Sequence, residues 1–379
     1  MHAMSTQPLS PDQAPRRTPP ASILVQVGLT VVLLIVIFGV VIPQFASYSQ
    51  IWDSMQSIGR NDVVVLTVLF FVTESMRAFE PDLTVPGLGW RRAFVSNETA
   101  TATSYVIPGP SGTAIRWHIF RTWAFTSEAF VRGTMVTSLW NDAVILTMPV
   151  VAVGLLATQD SVPTNAIVIS VAALVVALIG LAIVVAAVRS ETFTRRLGAL
   201  VGRIMAWGRG VIKRPPVERD FGEVATTFRL SIVDTVRRVW FWLTLEMIGR
   251  QAILCAMLLI SLRAVGVPDS AITPAEALAV YAGVRIITFL GLTPGGIGIS
   301  EALYISGLSL MTNGAYETQI TAGVFVFRIF TYLLPLPTGA VTYVIWRRKQ
   351  SWWSDTIPVD DSRHAAVVAV AVDRQTMTD

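Results

Sequence analysis

Residues 166–188, "AIVISVAALVVALIGLAIVVAAV", are 23 consecutive positions without a charged side chain. A run of this kind has one stable home. In a bilayer core about 30 Å thick no water satisfies a backbone N–H or C=O, so the segment must satisfy its own, and about 20 apolar residues in an α-helix do this. Runs of similar character at 22–42, 61–79, 134–157, 164–188, 240–262 and 318–346 are read as six spanning helices. The whole chain agrees, with 53% hydrophobic and only 14% charged residues, where soluble domains carry about 25% charge. The expected fold class is therefore all-α, a polytopic membrane protein of about six transmembrane helices.

Lys and Arg orient it. Eleven lie between Arg189 and Arg238, and none in the loops 158–163 and 312–317. Cytoplasmic loops hold the positive excess, so the 189–238 loop is placed inside. Counting spans outward from it also puts Arg16 and Arg17, Arg91 and Arg92, and Arg347 to Lys349 inside, which makes the chain N-in and C-in. The expected organisation is a disordered cytoplasmic segment 1–21, a transmembrane domain 22–348 and a disordered cytoplasmic tail 349–379. The apolar run after residue 21 is too long for a cleavable signal. Within the basic loop, Leu197, Leu200, Ile204 and Met205 follow helical spacing with Arg196 and Arg203 between them. That pattern predicts an amphipathic helix lying in the inner-leaflet interface.

Two further stretches, 93–130 and 274–311, are broken by "IPGPSG" at 107–112 and "TPGGIG" at 293–298. The breaks match: an offset of 186 residues sets Pro108 on Pro294, Gly109 on Gly295, Gly112 on Gly298, and also Pro149 on Pro335. Three spans separate them, so two re-entrant hairpins here would enter from opposite faces. Inverted repeats with broken helices near the midplane are the architecture of many secondary transporters. Repeat 1 is set at about 61–188 and repeat 2 at about 240–346. Pro108, Gly109 and Gly112, with Pro294, Gly295, Gly296 and Gly298, are the breaks. Each frees backbone groups that survive at membrane depth only when buried in protein or lining a wet cavity. A restarting helix also points N–H groups and a positive dipole end at the cavity, which suits an anion.

Charges in apolar surroundings are expensive and mark function by default. Arg116 follows the first break; Arg285 precedes and Glu301 follows the second; Arg328 sits in the last span. These four are the candidate lipid-headgroup residues, since guanidinium groups bind phosphate oxygens bidentately. Glu301 could neutralise an arginine, bind a cationic headgroup or carry a proton. Arg121, Glu128 and Asp142 are secondary candidates. Glu74 with Arg77, and Glu246 with Arg250, have the spacing of structural ion pairs on one helix face.

No enzyme motif is present. The single Cys255 and the scattered His2, His118 and His364 give no metal site, and no phosphate-binding loop points to a nucleotide. No cofactor or metal is therefore expected. So apolar a chain is no nucleic-acid binder. The expected partners are membrane lipids, an anionic phospholipid or a polyprenyl phosphate, and a homo-oligomer is compatible with the sequence.

"TPGGIGISEAL" resembles the P-G-G-x-G-x-x-E signature of the lysylphosphatidylglycerol synthase transmembrane (flippase-like) family. "PGPSGTAIR" at 108–116 resembles its first-half element, and "FRIFTYLLPLPTG" at 327–339 its terminal span. The resemblance covers about 22–348. It implies handling of a membrane lipid: some members translocate aminoacylated phosphatidylglycerol made by a fused transferase, and others stand alone with polyprenyl-phosphate sugars. The chain leaves no room for that transferase, so the resemblance implies a stand-alone member. It departs from the family pattern at Thr113, where an acidic residue is usual, and at Trp140 and Asn141, where Glu–Arg is usual. The resemblance therefore does not bring lysyl-phosphatidylglycerol over as substrate. The expected function is a lipid flippase or translocator of the cytoplasmic membrane, and not an enzyme. Two other readings are a membrane-embedded headgroup transferase, with Glu301, Asp142 or His118 as its reactive group, and a non-transporting scaffold.

Overall fold

A computed structural model describes residues 58–107, 110–158, 221–289 and 293–348, with isolated positions between 49 and 56 and between 171 and 196. The expected spans 22–42 and 164–188, the interfacial helix near 197–211, the two terminal segments, and Pro108 and Gly109 lie outside the described residues. The described residues form helices only. They are α1 (Arg60–Thr84), α2 (Trp90–Val106), α3 (Ser111–Thr122), α4 (Ser127–Leu156), α5 (Phe221–Ala264), α6 (Pro274–Phe289), α7 (Ile299–Met311), α8 (Glu317–Arg328) and α9 (Pro335–Arg348). A short 3₁₀ turn, Pro294–Gly296, precedes α7, and a π-helical turn, Ile329–Leu333, joins α8 to α9.

Among the described residues, three segments are long and apolar enough to cross a membrane: Ser127–Leu156, Thr235–Ala264 and Glu317–Arg348. They correspond to the expected spans 134–157, 240–262 and 318–346. The span expected at 61–79 lies within α1, which turns Val64, Val68, Phe71 and Phe79 outward. Exposed aliphatic and aromatic side chains on that scale are what hydrocarbon accepts and water does not. The helix α5 begins at Phe221, inside the stretch 189–238 that is read as the basic loop, and its apolar part begins at Thr235. The reason is local, since no proline or glycine interrupts the sequence from 223 to 248 and nothing stops the helix from running past the span. At its far end Gly266 at φ +92° stops α5. Arg263 ties the following loop down by donating to the carbonyls of Val267 at 3.0 Å and Pro268 at 2.9 Å.

The helix α2 differs from the rest. Ser96, Asn97, Glu98 and Thr99 are all buried on it. Short side chains let neighbours close in. A Cβ on Gly112 of α3 would lie 2.6 Å from the Ala100 carbonyl, and one on Gly339 of α9 would lie 2.6 Å from the Glu98 carbonyl. Two apolar cores flank this polar helix. One packs Leu66 and Phe70 of α1 with Leu258 and Leu262 of α5, Tyr304 and Leu308 of α7, and Phe327 of α8. The other packs Ile119, Phe120 and Trp123 with Phe130 and Trp346.

Candidate functional site

Among the described residues, helices stop and restart at both places that the sequence marks. At the first, α2 ends at Val106 and α3 restarts after Pro110. Ser111 Oγ donates 2.6 Å to the Ile107 carbonyl, an orphan left by the break. At the second, Gly295, Gly296 and Gly298 stand at φ +59°, +70° and +82°. Those angles belong to the left-handed region, where a side chain is costly and glycine is not. The new helix begins at Ile299, and Glu301 on its first turn accepts from the Gly298 N–H at 2.5 Å. A glutamate three residues after a helix start is the usual partner of such an orphan N–H. This is why Glu301 follows the glycines so closely.

The two breaks meet. Tyr105, on the last turn of α2, stacks on Tyr332 of the π-helical turn, with ring centroids 4.6 Å apart and planes at 13°. Gly295 lies under the pair. A Cβ there would sit 2.9 Å from Tyr105 and closer still to the Tyr332 ring. Each tyrosine hydroxyl reaches a backbone carbonyl beside the other tyrosine. Tyr332 OH donates 3.1 Å to the Tyr105 carbonyl at the end of α2. Tyr105 OH reaches the Thr331 carbonyl at 3.5 Å. That carbonyl has no α-helical donor, because the residue four further on is Pro335, which lacks an N–H.

Beside this junction is a cavity of about 330 Å³, walled by α1, α5, α6, α7, α8 and the Pro294–Gly296 turn. Five charged residues line it: Glu74, Arg77, Arg250, Arg285 and Arg328. The wall carries four arginines against one carboxylate. Most of these arginines are held. Arg328 Nε pairs with Glu301 Oε1 at 2.5 Å, and its Nη2 donates 3.0 Å to the Gly295 carbonyl. Its guanidinium also lies 4.9 Å from the Tyr332 ring centroid. Arg77 pairs with Glu74 and, at 3.4 Å, with Glu98. Arg250 pairs with Glu246 at 3.0 Å and Glu80 at 2.5 Å. The side chain of Arg285 has no ion pair or hydrogen bond among the described residues, and its Nε is buried without a partner.

The structure thus brings three of the four principal candidates together. Arg285 and Arg328 line the cavity, and Glu301 is 3% exposed behind Arg328. Arg116 is not among the lining residues; its guanidinium lies 5.8 Å from the Phe120 ring centroid, on α3. The secondary candidates also sit apart. Glu128 pairs with buried Arg132 at 3.6 Å, Arg121 lies over Trp117 at 5.8 Å, and Asp142 accepts from Asn141 at 3.5 Å. Of the breaks, Gly295 and Gly296 line the cavity, Gly298 starts α7, and Gly112 seats α3 on α2.

Sequence reasoning missed Glu98 and Glu80. It also read Glu74–Arg77 and Glu246–Arg250 as closed structural pairs. Each arginine instead takes a second carboxylate from another helix, Glu98 for Arg77 and Glu80 for Arg250, and lines the cavity. The signal for Glu98 was available: it is an acid inside the same interrupted stretch as Arg116. Among the described residues no group of His, Cys, Asp and Glu could hold a metal ion.

The family model described as "Lysylphosphatidylglycerol synthase TM region" matches residues 23–339, which contain every element of the site. A comparison with curated proteins returns no match.

Proposed function

The chain belongs to the lysylphosphatidylglycerol synthase TM region family, and from that premise and the cavity we propose that it is a lipid translocator of the cytoplasmic membrane. It would move an anionic or aminoacylated phospholipid, or a polyprenyl-phosphate-linked lipid, with the headgroup passing the arginine-walled cavity. The observation that carries this reading is Arg285, a cation on the cavity wall with no anionic partner among the described residues. A buried charge is retained only when something offsets it, and a lipid phosphate does so.

The architecture supports two re-entrant hairpins in inverted repeats. The helices α2 and α3 have 17 and 12 residues, so at 1.5 Å per residue they reach about 26 Å and about 18 Å. Both fall short of the hydrocarbon core. Moved by 186 residues, α2 falls on α6, α3 on α7, and α4 on α8 through α9. The packing exchanges in the same way, with α2 against α9 and α6 against α4. The base of the first hairpin lies at the cytoplasmic end of α9, where Trp346 Nε1 donates 3.2 Å to Thr122 Oγ1. The second hairpin opens toward the start of α8, at the other end of that span.

A headgroup transferase is less well supported. Glu301 is committed to Gly298 and Arg328, while His118 and Asp142 do not line the cavity. The test is reconstitution of the purified chain into proteoliposomes holding a fluorescent phosphatidylglycerol. Protein-dependent exchange between leaflets, measured by chemical bleaching of the outer one, is the expected result. Exchange no faster than in protein-free vesicles across anionic, aminoacylated and polyprenyl-phosphate lipids would sink the reading.

A further inference from the structure

The carboxylates behind the arginines point to a second ion. We infer that the chain is proton-coupled: Glu246 takes up one proton when an anionic headgroup enters the cavity and gives it up when the headgroup leaves. The inference rests on the translocator reading for the headgroup, and on the acids around Arg250 for the proton.

The acids are doubled up. Glu74 and Glu98 both pair with Arg77, Glu80 and Glu246 both pair with Arg250, and Glu301 pairs with Arg328. A guanidinium carries one charge, so the Arg77 and Arg250 groups each hold one carboxylate too many. Two arginines offset that surplus from further off. Arg116 lies within electrostatic reach of Glu80 and Arg77. Arg285 stands on the same cavity wall as Arg77 and Arg250, with no ion pair of its own among the described residues. Around the cavity these five carboxylates and five guanidinium groups balance. An anionic headgroup tips the balance by one negative charge. An unmatched charge in a desolvated site is costly, and carboxylates crowded on one cation relieve it by binding a proton.

Glu246 is the acid placed to take it. It is 7% exposed, near the middle of the span Thr235–Ala264. Its Oε1 accepts from Arg250 Nε at 3.0 Å, and its Oε2 is buried with no hydrogen-bond partner. The other acids are more fully engaged. Glu98 accepts from Arg77 on Oε1 and from Thr338 on Oε2, Glu301 accepts on both oxygens, and Glu74 Oε2 is the oxygen that meets Arg77. Glu80 lies nearer to Arg250, at 2.5 Å, and still pairs with it when Glu246 is neutral. A proton needs a single oxygen, where a metal cation needs several.

Arg250 links the proton to the cavity, because it lines the space while Glu246 lies behind it. The charges acting on Glu246 are Arg250 on its own helix and Glu80 and Arg77 from α1. Of the other helices packed on α5, α4 brings the neutral Asn141 to within 3.5 Å of Arg250 and keeps Asp142 on Asn141. The helix α6 brings Tyr281, which donates to Gln251 at 2.7 Å, and Arg285 on the wall. The arginine of α8, Arg328, is held by Glu301. On uptake an O–H bond forms at Glu246 Oε2 with a proton from solvent, and Arg250 keeps one carboxylate and turns its remaining field to the cavity. On release that bond breaks and Arg250 is paired twice again. The proton and the anion are bound together, so they cross together.

The experiment uses the full chain. In weakly buffered detergent, short-chain phosphatidylglycerol is added and proton uptake is followed with a pH indicator, beside binding read as the rise in melting temperature. The wild type should take up about one proton per lipid bound. Since the bound state holds the extra proton, affinity should rise as pH falls, by at most about tenfold per pH unit. Zwitterionic short-chain phosphatidylcholine should bring no uptake. Glu246→Gln keeps an acceptor for Arg250 Nε and has the shape of the protonated acid. It should melt with the wild type, bind phosphatidylglycerol at least as tightly, and take up no proton. Glu80→Gln leaves Glu246 as the direct anion on Arg250, and uptake should fall there too. In proteoliposomes with an imposed pH difference, labelled phosphatidylglycerol should gather in the leaflet facing the more alkaline side. Glu246→Gln should leave it evenly spread, and replacing sodium by choline should change neither result. Binding of phosphatidylglycerol by the wild type without proton uptake would overturn the coupling and leave the translocator reading intact. Undiminished uptake in Glu246→Gln would overturn the site, and accumulation that follows a sodium gradient instead would overturn the ion. Proton uptake on binding without exchange between leaflets would refute translocation while the proton site stands.

Discussion

Replacing Glu301 by Gln is the most informative single change to this protein. The carboxylate does two jobs at once, taking the Gly298 N–H on Oε2 and Arg328 Nε on Oε1, both at 2.5 Å. Glutamine has one acceptor oxygen, so one donor is left facing an NH₂ group. The pair is secluded, with the two side chains 13% and 4% exposed, so solvent screens little of the loss. Breaking one side of a buried ion pair costs about 3–5 kcal/mol, because the other charge stays behind. An average side-chain hydrogen bond in a membrane bundle contributes only about 0.6 kcal/mol, so the two cases are well separated. Arg328→Gln should cost a similar amount from the other side. The double variant Glu301→Gln with Arg328→Gln keeps a neutral amide pair and should lose less than the two single losses together, with an interaction energy of about 1–3 kcal/mol. Unfolding free energies come from titration with a denaturing detergent, followed by dye reaction at Cys255, which the native core buries. A Glu301→Gln protein within about 0.5 kcal/mol of wild type, or additive single losses, would refute the bridging role.

Two other changes probe the junction. Gly295→Ala places a methyl in the Tyr105–Tyr332 stack at φ +59°, and left-handed backbone plus overpacking should cost about 2–4 kcal/mol. Gly295→Ala with Tyr332→Ala should recover the steric part, so an unchanged deficit in the double variant would place the loss elsewhere. Glu98→Gln keeps the shape but removes one of the two anions on Arg77 and should lower stability by about 1–3 kcal/mol; a melt like that of the wild type would show that Glu74 alone suffices.

The sequence by itself determined the helical class, the membrane setting and the places where helices must break. Those features are local: an uncharged apolar run can satisfy its backbone in lipid only as a helix, and Pro–Gly clusters end one wherever they stand. Glu301 was also legible, because a cap reaches only three residues back. The tertiary structure alone decided which charges are spoken for. Arg285 and Arg328 look alike in the sequence, each an arginine in an apolar helix. One is locked by a glutamate 27 residues away, and the side chain of the other has no ion pair or hydrogen bond among the described residues. Arg77 and Arg250 looked closed by partners on their own helix, yet their further carboxylates come from 21 and 170 residues away. The tyrosines that join the two breaks are 227 residues apart. Whether such groups meet depends on how each helix is rotated and how deep it sits. Packing against several neighbours fixes both, and the linear pattern of one helix does not carry them.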